Sequence, residues 1–296
     1  SLSSYSEPEG KIICDYQYTL EQAIFDKVCR KPKLVLVDNE QLQYTSPDER
    51  ISYSSIQALF KEQKVSYSSI LEDNDALAHI LKLSADKLNS IRATNYNAAG
   101  LIVASSVAHA RQIQMILNGQ LNQPSVMVSY HDPNAQSIIE QFKNGHSPWI
   151  ISIGMISEGT DIPRLQVCCH LSNIRTELYF RQVLGRILRI TDGYNQEAWL
   201  YTFAEENLMK FAEEIEQDIP ESCLYIKQPE GKEAEDAQSL ETDNSSATVS
   251  TTVKSEELKW KTSDTSVQIG SEDSIPYRSF TLGHFRERVI EAFVGI

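Results

Sequence analysis

The chain contains the ten-residue run FRQVLGRILR, from Phe180 to Arg189. On a helix, Gln182, Arg186 and Arg189 would share one face, because residues at i, i+4 and i+7 lie above one another. Gly185 lies among them and has no Cβ, so another surface could approach that face. Three hydrogen-bond donors in this arrangement favour a polyanion such as a triphosphate. An amphipathic helix with scattered arginines is the alternative that this run alone leaves open.

A second informative stretch lies just upstream and reads WIISIGMISEGTDIPR, from Trp149 to Arg164. Its apolar first part predicts a buried strand, and its Gly, Thr, Asp and Pro residues predict a polar loop that follows. The chain therefore places a strand and a polar loop before the helix that carries the donors.

The two stretches resemble motifs V and VI of superfamily 2 helicases and translocases, whose usual forms are G-x-D-(I/V)-P and Q-x-x-G-R-x-x-R. The resemblance covers about residues 100–203, which would be the second RecA-like lobe, and extends more loosely over residues 11–98. In detail it is similar to DEAD/DEAH-type helicases of bacterial and mobile-element genomes, over Met155 to Leu165 and Thr176 to Arg189.

This resemblance implies three groups of functional residues. The catalytic group would hold two arginine fingers for the γ-phosphate and a glutamine that orients the attacking water or the phosphate: Arg186, Arg189 and Gln182. The ATP-binding group, in which the aspartate would accept a ribose hydroxyl, is Gly159, Asp161 and Gly185. The group that would contact the nucleic-acid backbone is Ser105, Ser106, Met155 and Ser157.

Structural roles stay open for several of these residues. Ser105 and Ser106 could cap a helix, Asp161 could form a turn before Pro163, and the arginines could simply pair with Asp161. The chain also departs from many DEAD-box proteins, because Ile153-Gly154 stands where those proteins have Thr-Asp. That difference puts a threonine contact to phosphate in question here.

Strand-like and helix-like segments alternate from Gly100 onward, which predicts an α/β fold with a RecA-like parallel sheet and flanking helices. The predicted strands span residues 101–104, 126–129, 149–153, 166–171 and 198–203. In such a sheet ligands bind at the carboxyl ends of the strands. We therefore expect Ser105-Ser106, Tyr130 to Asp132, and Gly154 to Asp161 at that edge.

The chain as a whole divides into five predicted parts. Residues 1–98 would be a connector and 99–204 the RecA-like helicase C-terminal domain; 205–227 would be an acidic helix. Residues 228–275, rich in Ser, Thr, Asp and Glu, would be a flexible linker, because they cannot bury enough apolar surface to offset ordering entropy. Residues 276–296 regain apolar spacing and would form a C-terminal helix.

Net charge is −14, but its distribution matters more than its total. Residues 205–222 hold seven acids against one base, and residues 228–275 hold eleven against four. Residues 1–204 hold 21 acids and 18 bases, so the lobe itself is close to neutral and could present a basic strip. The overall acidity therefore does not exclude a nucleic-acid partner.

The sequence lacks the G-x-x-x-x-G-K-(S/T) and D-E-x-(D/H) motifs that hold ATP phosphates and Mg²⁺. We therefore expect the C-terminal portion of a helicase, inactive alone, with ATP shared between two lobes and Mg²⁺ held by the first lobe. The six histidines show no metal-ligand spacing, and the five cysteines form no CxxC pair, so no metal site is predicted. His109 is expected to be an exposed helix residue.

The favoured function is an ATP-dependent helicase or translocase. Its expected partners are nucleic acid, with DNA preferred, and a first RecA-like lobe of the same parent chain. A monomeric, cytoplasmic protein without a membrane segment is expected, because no apolar stretch reaches the roughly 18 residues that span a bilayer. The alternative is a non-catalytic nucleic-acid-binding or interaction module that has kept the lobe without the ATPase.

Overall fold

The computed structural model describes residues 20–45, 49–62, 65–154, 161–191, 196–217, 261–262 and 279–291. The helices are α1 Leu20–Phe25, α2 Ile56–Lys61, α3 Tyr67–Glu72, α4 Asn74–Arg92, α5 Val107–Met115, α6 Ala135–Asn144, α7 Glu177–Ile187 and α8 Glu206–Gln217. The strands are β1 Lys31–Asn39, β2 Leu42–Thr45, β3 Arg50–Tyr53, β4 Ala99–Ala104, β5 Ser125–Ser129, β6 Trp149–Ile153, β7 Leu165–Leu171, β8 Glu197–Phe203, β9 Lys261–Thr262, β10 Ser279–Leu282 and β11 Phe285–Glu291. A π-helical turn, Ile116–Gln120, extends α5.

Eight of these strands form one sheet in the order β5-β6-β4-β7-β8-β1-β11-β9. The first six pair in parallel, and β11 and β9 are antiparallel additions at one side. Strands β4, β6 and β7 are buried along their whole length, as expected when helices cover both faces of a parallel sheet. The predicted RecA-like α/β fold is thereby confirmed.

Close packing at the centre of this sheet depends on Gly100 in β4. A Cβ built at Gly100 would lie 2.1 Å from the ring of Trp149, which belongs to the neighbouring strand β6. The fully buried indole therefore occupies the space that any other side chain at position 100 would need.

Part of the predicted connector belongs to the same sheet. Strand β1 pairs in parallel with β8 over residues 31–37, and it pairs with β11 on its other side. The predicted domain boundaries at residues 98 and 204 stay a prediction. Residues 31–39 and 285–291 lie outside these boundaries, and both add strands to the sheet of the predicted domain.

The predicted C-terminal helix is wrong over the described residues, because 279–282 and 285–291 are strands. The apolar spacing of Phe280, Leu282 and Phe285 fits a period of two as well as a helix. The choice is made by tertiary structure: β1 is apolar and buried, and its outer edge needs a partner that β11 provides. Arg286 secures this pairing with hydrogen bonds of 2.7 and 3.1 Å to the Asp38 carboxylate.

The acidic helix predicted for residues 205–227 is represented by α8, and its remaining residues, 218–227, lie outside the described part of the chain. The predicted linker lies outside it as well, apart from Lys261 and Thr262 in β9. Among the described residues, each helix is too short or too polar to cross a bilayer.

Candidate nucleotide and nucleic-acid site

Helix α7 carries the first group of predicted site residues. Thr176 caps its start by accepting a hydrogen bond from the Tyr179 backbone N–H. One face is buried, at the i, i+3, i+4 and i+7 positions Phe180, Val183, Leu184 and Ile187. The donors of the sequence motif therefore lie on the other face, where Gln182 and Arg186 are partly exposed and Gly185 is exposed.

Gly185 is surrounded by open space on the α7 face. A Cβ built there would have no heavy atom within 4 Å among the described residues outside its own helix turn. Nothing in this part of the chain therefore requires a glycine at the position. The residue would matter only for a surface that approaches from outside, as the sequence predicts.

Arg189 and Asp161 form an ion pair just beyond the end of α7. The Arg189 side chain is 35% exposed and the Asp161 side chain 63%, so the pair lies at the protein surface and remains reachable by solvent. The structure thus brings together one predicted catalytic residue and one predicted ATP-binding residue. The same ion pair is the one expected if Arg189 and Asp161 have only a structural role.

Asp161 does not lie at the carboxyl edge of the sheet, so that expectation is wrong. Strands β6 and β7 are both parallel to β4, which means that β6 ends at the carboxyl edge and β7 begins at the opposite, amino edge. Asp161 lies shortly before β7 and is therefore at the amino edge. The expected location was wrong because the segment between these strands connects opposite edges of the sheet.

The backbone that follows Asp161 is held by Arg164, a buried residue whose role the sequence did not reveal. Its guanidinium donates to the carbonyl oxygens of Phe142, Asn97 and Ser147 at 2.7 to 3.2 Å. Burial lowers the pKa of Arg164 to about 10, which still leaves it charged at neutral pH. Arg164 therefore fixes the entry into β7 rather than contacting a ligand.

Ser105 and Ser106 lie at the carboxyl edge, where β4 ends and α5 begins, as predicted. Ser106 caps α5, because its hydroxyl accepts a hydrogen bond of 3.1 Å from the His109 backbone N–H. The Ser105 backbone N–H donates to His109 Nδ1 at 3.2 Å, and the Ser105 hydroxyl is 2.8 Å from the same atom. The capping role is thus present, and it leaves the exposed Ser106 beside the N-terminus of a helix, where anions are favoured.

His109 is buried, so the expectation of an exposed helix residue is wrong. Burial lowers its pKa to about 4, and the imidazole is neutral at physiological pH. Because the Ser105 N–H can only donate, Nδ1 must be the acceptor and Nε2 carries the proton. His109 therefore holds the Ser105 loop in place. The sequence did not predict this burial, because a histidine can lie on either the buried or the exposed face of an amphipathic helix.

Gly154 and Tyr130 also lie at the carboxyl edge, at the ends of β6 and β5. Gly154 has φ of 72°, in the left-handed region that favours glycine, and a Cβ there would be 3.3 Å from the Tyr130 ring. The backbone conformation and the nearby ring therefore both favour the glycine found at this position. Met155, Ser157 and Gly159 lie outside the described residues, and their assigned roles stay predictions.

The two groups of candidate residues are separated by the length of the sheet strands. Strand β4 has six residues, and at a rise of about 3.3 Å per residue its ends are roughly 17 Å apart. Asp161 and Arg189 lie at the amino edge, and Ser105 and Ser106 at the carboxyl edge. Within the described ranges, no group of three or more His, Cys, Asp and Glu residues could hold a metal ion.

Residues 79–191 match the family model described as the helicase conserved C-terminal domain. An uncharacterized protein of Mycobacterium tuberculosis is 26% identical over 204 residues, covering 68% of this chain and 34% of the relative. An uncharacterized protein of Mycobacterium leprae is 27% identical over 205 residues, again covering 68% and 34%. The chain thus spans about one third of the length of the curated relatives that it matches.

Two solved structures are similar to part of this chain. A fragment described as an HsdR subunit of a type I restriction enzyme from Vibrio vulnificus is 13% identical, with a TM-score of 0.48 over 69% of this chain and 38% of that one. Dbp5 of S. cerevisiae, bound to RNA and ADP BeF3, is 12% identical, with a TM-score of 0.38 over 49% and 37%. Both sequence motifs lie within residues 79–191, the range that matches the helicase conserved C-terminal domain.

Proposed function

We propose that this chain is the second lobe of an ATP-dependent helicase or translocase that acts on DNA. The observation that carries the proposal is the arrangement at the amino edge, where the exposed face of α7 with Gln182 and Arg186 adjoins the Arg189–Asp161 pair. The two arginines donate hydrogen bonds, Gln182 can donate and accept, and Asp161 accepts, a set that suits the phosphates and a ribose hydroxyl of a nucleotide. A first lobe would complete the site.

In this proposal Arg186 and Arg189 stabilise the negative charge that develops on the γ-phosphate during hydrolysis. A planar guanidinium binds phosphate oxygens through two parallel hydrogen bonds, which an ammonium group cannot do. Gln182 orients the attacking water or the phosphate, and Asp161 accepts a ribose hydroxyl. Mg²⁺ supplies charge neutralisation between the phosphates when bound, and the proposal assigns it to the first lobe.

Opening of the Arg189–Asp161 pair is energetically feasible. Exposed ion pairs contribute only about 0.2–1 kcal/mol, so Arg189 can exchange the Asp161 carboxylate for a phosphate at little cost. The amino edge is therefore able to bind a nucleotide without disruption of the fold. In the absence of nucleotide the pair keeps both side chains near their working positions.

The carboxyl edge is the proposed contact with the nucleic-acid backbone. Ser106 presents a hydroxyl at the start of α5, and helix N-termini favour phosphate through unsatisfied N–H groups and the helix dipole. These contacts carry no information on base sequence, so we expect binding that tracks the backbone. Nucleotide and nucleic acid would then act on opposite ends of the same strands.

A non-catalytic nucleic-acid-binding module is the second candidate. It is favoured by one observation, the ion pair itself, because Arg189 already has a carboxylate partner within the chain. In that case the amino edge would be structural, and only the carboxyl edge would bind a ligand. The two candidates predict the same nucleic-acid contacts and differ in the response to nucleotide.

The test has two parts. Binding of fluorescein-labelled single-stranded DNA, duplex DNA and RNA to this chain is measured by fluorescence anisotropy at several salt concentrations. The rate of ATP hydrolysis, with and without DNA, is measured for this chain and for a longer polypeptide that includes the upstream sequence. The proposal expects salt-dependent binding with DNA preferred, no hydrolysis by this chain above background, and DNA-stimulated hydrolysis by the longer polypeptide.

Other results would separate the alternatives. DNA binding without hydrolysis in the longer polypeptide would favour the non-catalytic module. Hydrolysis by this chain alone would overturn its assignment as a second lobe, and tighter binding to RNA would overturn the DNA preference.

A further inference from the structure

Arg30 is a completely buried arginine that lies between α1 and β1. Its Nη1 donates to the carbonyl oxygens of Leu165 at 2.5 Å and Ile187 at 3.2 Å. Its Nη2 donates to the carbonyl oxygen of Pro163 at 3.1 Å and to the Thr191 hydroxyl at 3.0 Å. One guanidinium therefore joins two segments that are more than 20 residues apart in sequence.

These four acceptors lie next to the two residues of the ion pair at the amino edge. Pro163 and Leu165 follow Asp161 by two and four residues, whereas Ile187 and Thr191 stand two residues on either side of Arg189. The main chain adds to this connection, because the Arg30 N–H donates to the Leu188 carbonyl at 2.6 Å. Cys29 also forms an isolated β-bridge with Arg189.

Burial of the charged Arg30 side chain has a large desolvation cost, which a purely structural position would not require. All four side-chain hydrogen bonds go to uncharged oxygen atoms, and the buried Nε has no hydrogen-bond partner among the described residues. Burial lowers the pKa of Arg30 to about 10, so the group stays charged at neutral pH. Apolar side chains often stabilise such positions better than buried charges do. The property of arginine that matters here is therefore the planar arrangement of its guanidinium N–H donors, which reach both segments at once.

We propose that Arg30 is a positioning residue that sets the placement of Asp161 relative to Arg189. Arg30 lies outside the 79–191 family match, so the segment before the helicase domain contributes an interior part of its amino edge. The proposal rests on the proposed function only for its consequence in ATP hydrolysis. The geometric claim concerns this chain alone.

Lysine at position 30 should not reproduce this geometry. A lysine keeps the charge but has a single ammonium nitrogen, which cannot bridge the Pro163–Leu165 segment and the end of α7 with a planar fork. Arg30→Lys thus separates the electrostatic contribution of the residue from its positioning contribution. A positioning role predicts that charge alone does not restore the Asp161–Arg189 pair.

The test is the ¹⁵N NMR signal of the Arg189 Nε–H group, assigned by its loss in Arg189→Lys. Asp161→Asn gives the reference signal for an Arg189 without its carboxylate. We expect the signal in folded Arg30→Lys to move more than halfway from the wild-type position to that reference. Circular dichroism of each variant confirms that it is folded.

Arg288→Lys is the matched control. Arg288 is also a buried arginine with an unpaired Nε among the described residues, but it lies in β11 and pairs with Glu213. Its replacement should leave the Arg189 signal in place. A wild-type signal in folded Arg30→Lys, or an equal shift in Arg288→Lys, would overturn the proposal. If Arg30→Lys does not fold, Thr191→Val removes one acceptor, and an unchanged signal in that variant has the same meaning.

The consequence for function is measured separately, in the longer polypeptide. Small displacements of catalytic groups cost about 10²-fold in rate, so Arg30→Lys should lower kcat by that order while DNA affinity is unchanged. A fall in DNA affinity equal to the fall in kcat would argue against positioning. If wild type hydrolyses no ATP, the proposed function fails, whereas the NMR result still decides the role of Arg30.

Discussion

Asp161 and Arg189 are ion-paired at the amino edge of the sheet, although 28 residues separate them in sequence. The pair joins the segment before β7 to a residue that lies two positions after the end of α7. Neither residue lies inside a helix or strand, so the ion pair depends on where β7 begins and where α7 ends. The start of β7 and the end of α7 thus determine the geometry of the proposed nucleotide site.

Replacement of Arg186 or Arg189 by alanine should abolish ATP hydrolysis without unfolding the protein. Arginine fingers contribute about 10³ to 10⁵ in rate, whereas loss of an exposed ion pair costs only about 0.2–1 kcal/mol of stability. The measurements are the DNA-stimulated hydrolysis rate of the longer polypeptide and urea unfolding of each variant. A rate loss below tenfold in both variants would leave the arginines with a structural role.

Arg181→Ala is the matched control on the same helix. Arg181 is also partly exposed, and its Nε donates to the Glu177 carboxylate at 2.7 Å one turn earlier. Its loss removes a surface ion pair from α7 but no group assigned to the nucleotide. We expect hydrolysis by this variant to stay within about twofold of wild type, since surface pairs contribute little.

Sequence patterns predicted the elements whose burial is decided locally. The fully apolar β6 and the amphipathic α7 are recognisable in isolation, because their periodicity reflects the environment of each residue along the element. The motif residues on them were therefore placed correctly on their elements. Gln182, Gly185 and Arg186 do lie on the less buried face of α7.

Features that depend on distant contacts were not predictable in this way. The C-terminal strand β11 exists because β1, some 250 residues earlier, offers it an edge. Arg30 stands in the basic run Arg30-Lys31-Pro32-Lys33, which gives no sign that the arginine is buried while both lysines are partly exposed. The position of Asp161, in contrast, could have been derived from the predicted parallel sheet, because a residue just before strand 166–171 lies at the edge opposite the end of strand 149–153.

Stability should fall as pH falls from about 6.5 to about 4, because burial lowers the pKa of His109 and His170 from 6.5 to about 4. The unfolded chain binds protons over this window and the folded chain does not, so acid favours unfolding. Each histidine adds a slope of up to about 1.4 kcal/mol per pH unit, and the full stability is present above the window. Urea unfolding at several pH values measures this slope.

Glutamine variants assign the pH effect to individual residues. His109→Gln and His170→Gln should each reduce the slope, whereas His131→Gln, which alters an exposed imidazole, should leave it as in wild type. Equal slopes in wild type and the double variant would show that the two buried histidines do not control acid stability.

Ser106→Asp should weaken nucleic-acid binding while the helix cap is kept. Aspartate caps helices as well as serine does, so stability should change by less than about 0.5 kcal/mol. A new negative charge about 4 Å from a phosphate costs at least about 1 kcal/mol, which corresponds to roughly a fivefold loss of affinity. Fluorescence anisotropy with single-stranded DNA measures this loss.

Ser55→Asp provides the comparison for Ser106→Asp. Ser55 caps α2 in the same manner, accepting from the Ala58 backbone N–H at 3.0 Å, and it carries no assigned contact to nucleic acid. Equal losses of affinity in the two variants would indicate a general effect of added negative charge. The role of the carboxyl edge in binding would then not be supported.

Gly185→Ala should make the chain more stable and the ATPase less active. A Cβ at this position meets no atom of the described residues within 4 Å outside its own helix turn, and alanine favours a helix over glycine by about 1 kcal/mol. The only cost would arise where a nucleotide or a first lobe approaches α7.

Gly100→Ala is the contrasting variant, because its Cβ would collide with Trp149 at 2.1 Å and must destabilise the sheet. Urea unfolding and DNA-stimulated hydrolysis in the longer polypeptide measure both effects. Full activity in a stabilised Gly185→Ala protein would mean that no partner surface comes close to this face of α7, and the nucleotide site would have to lie elsewhere.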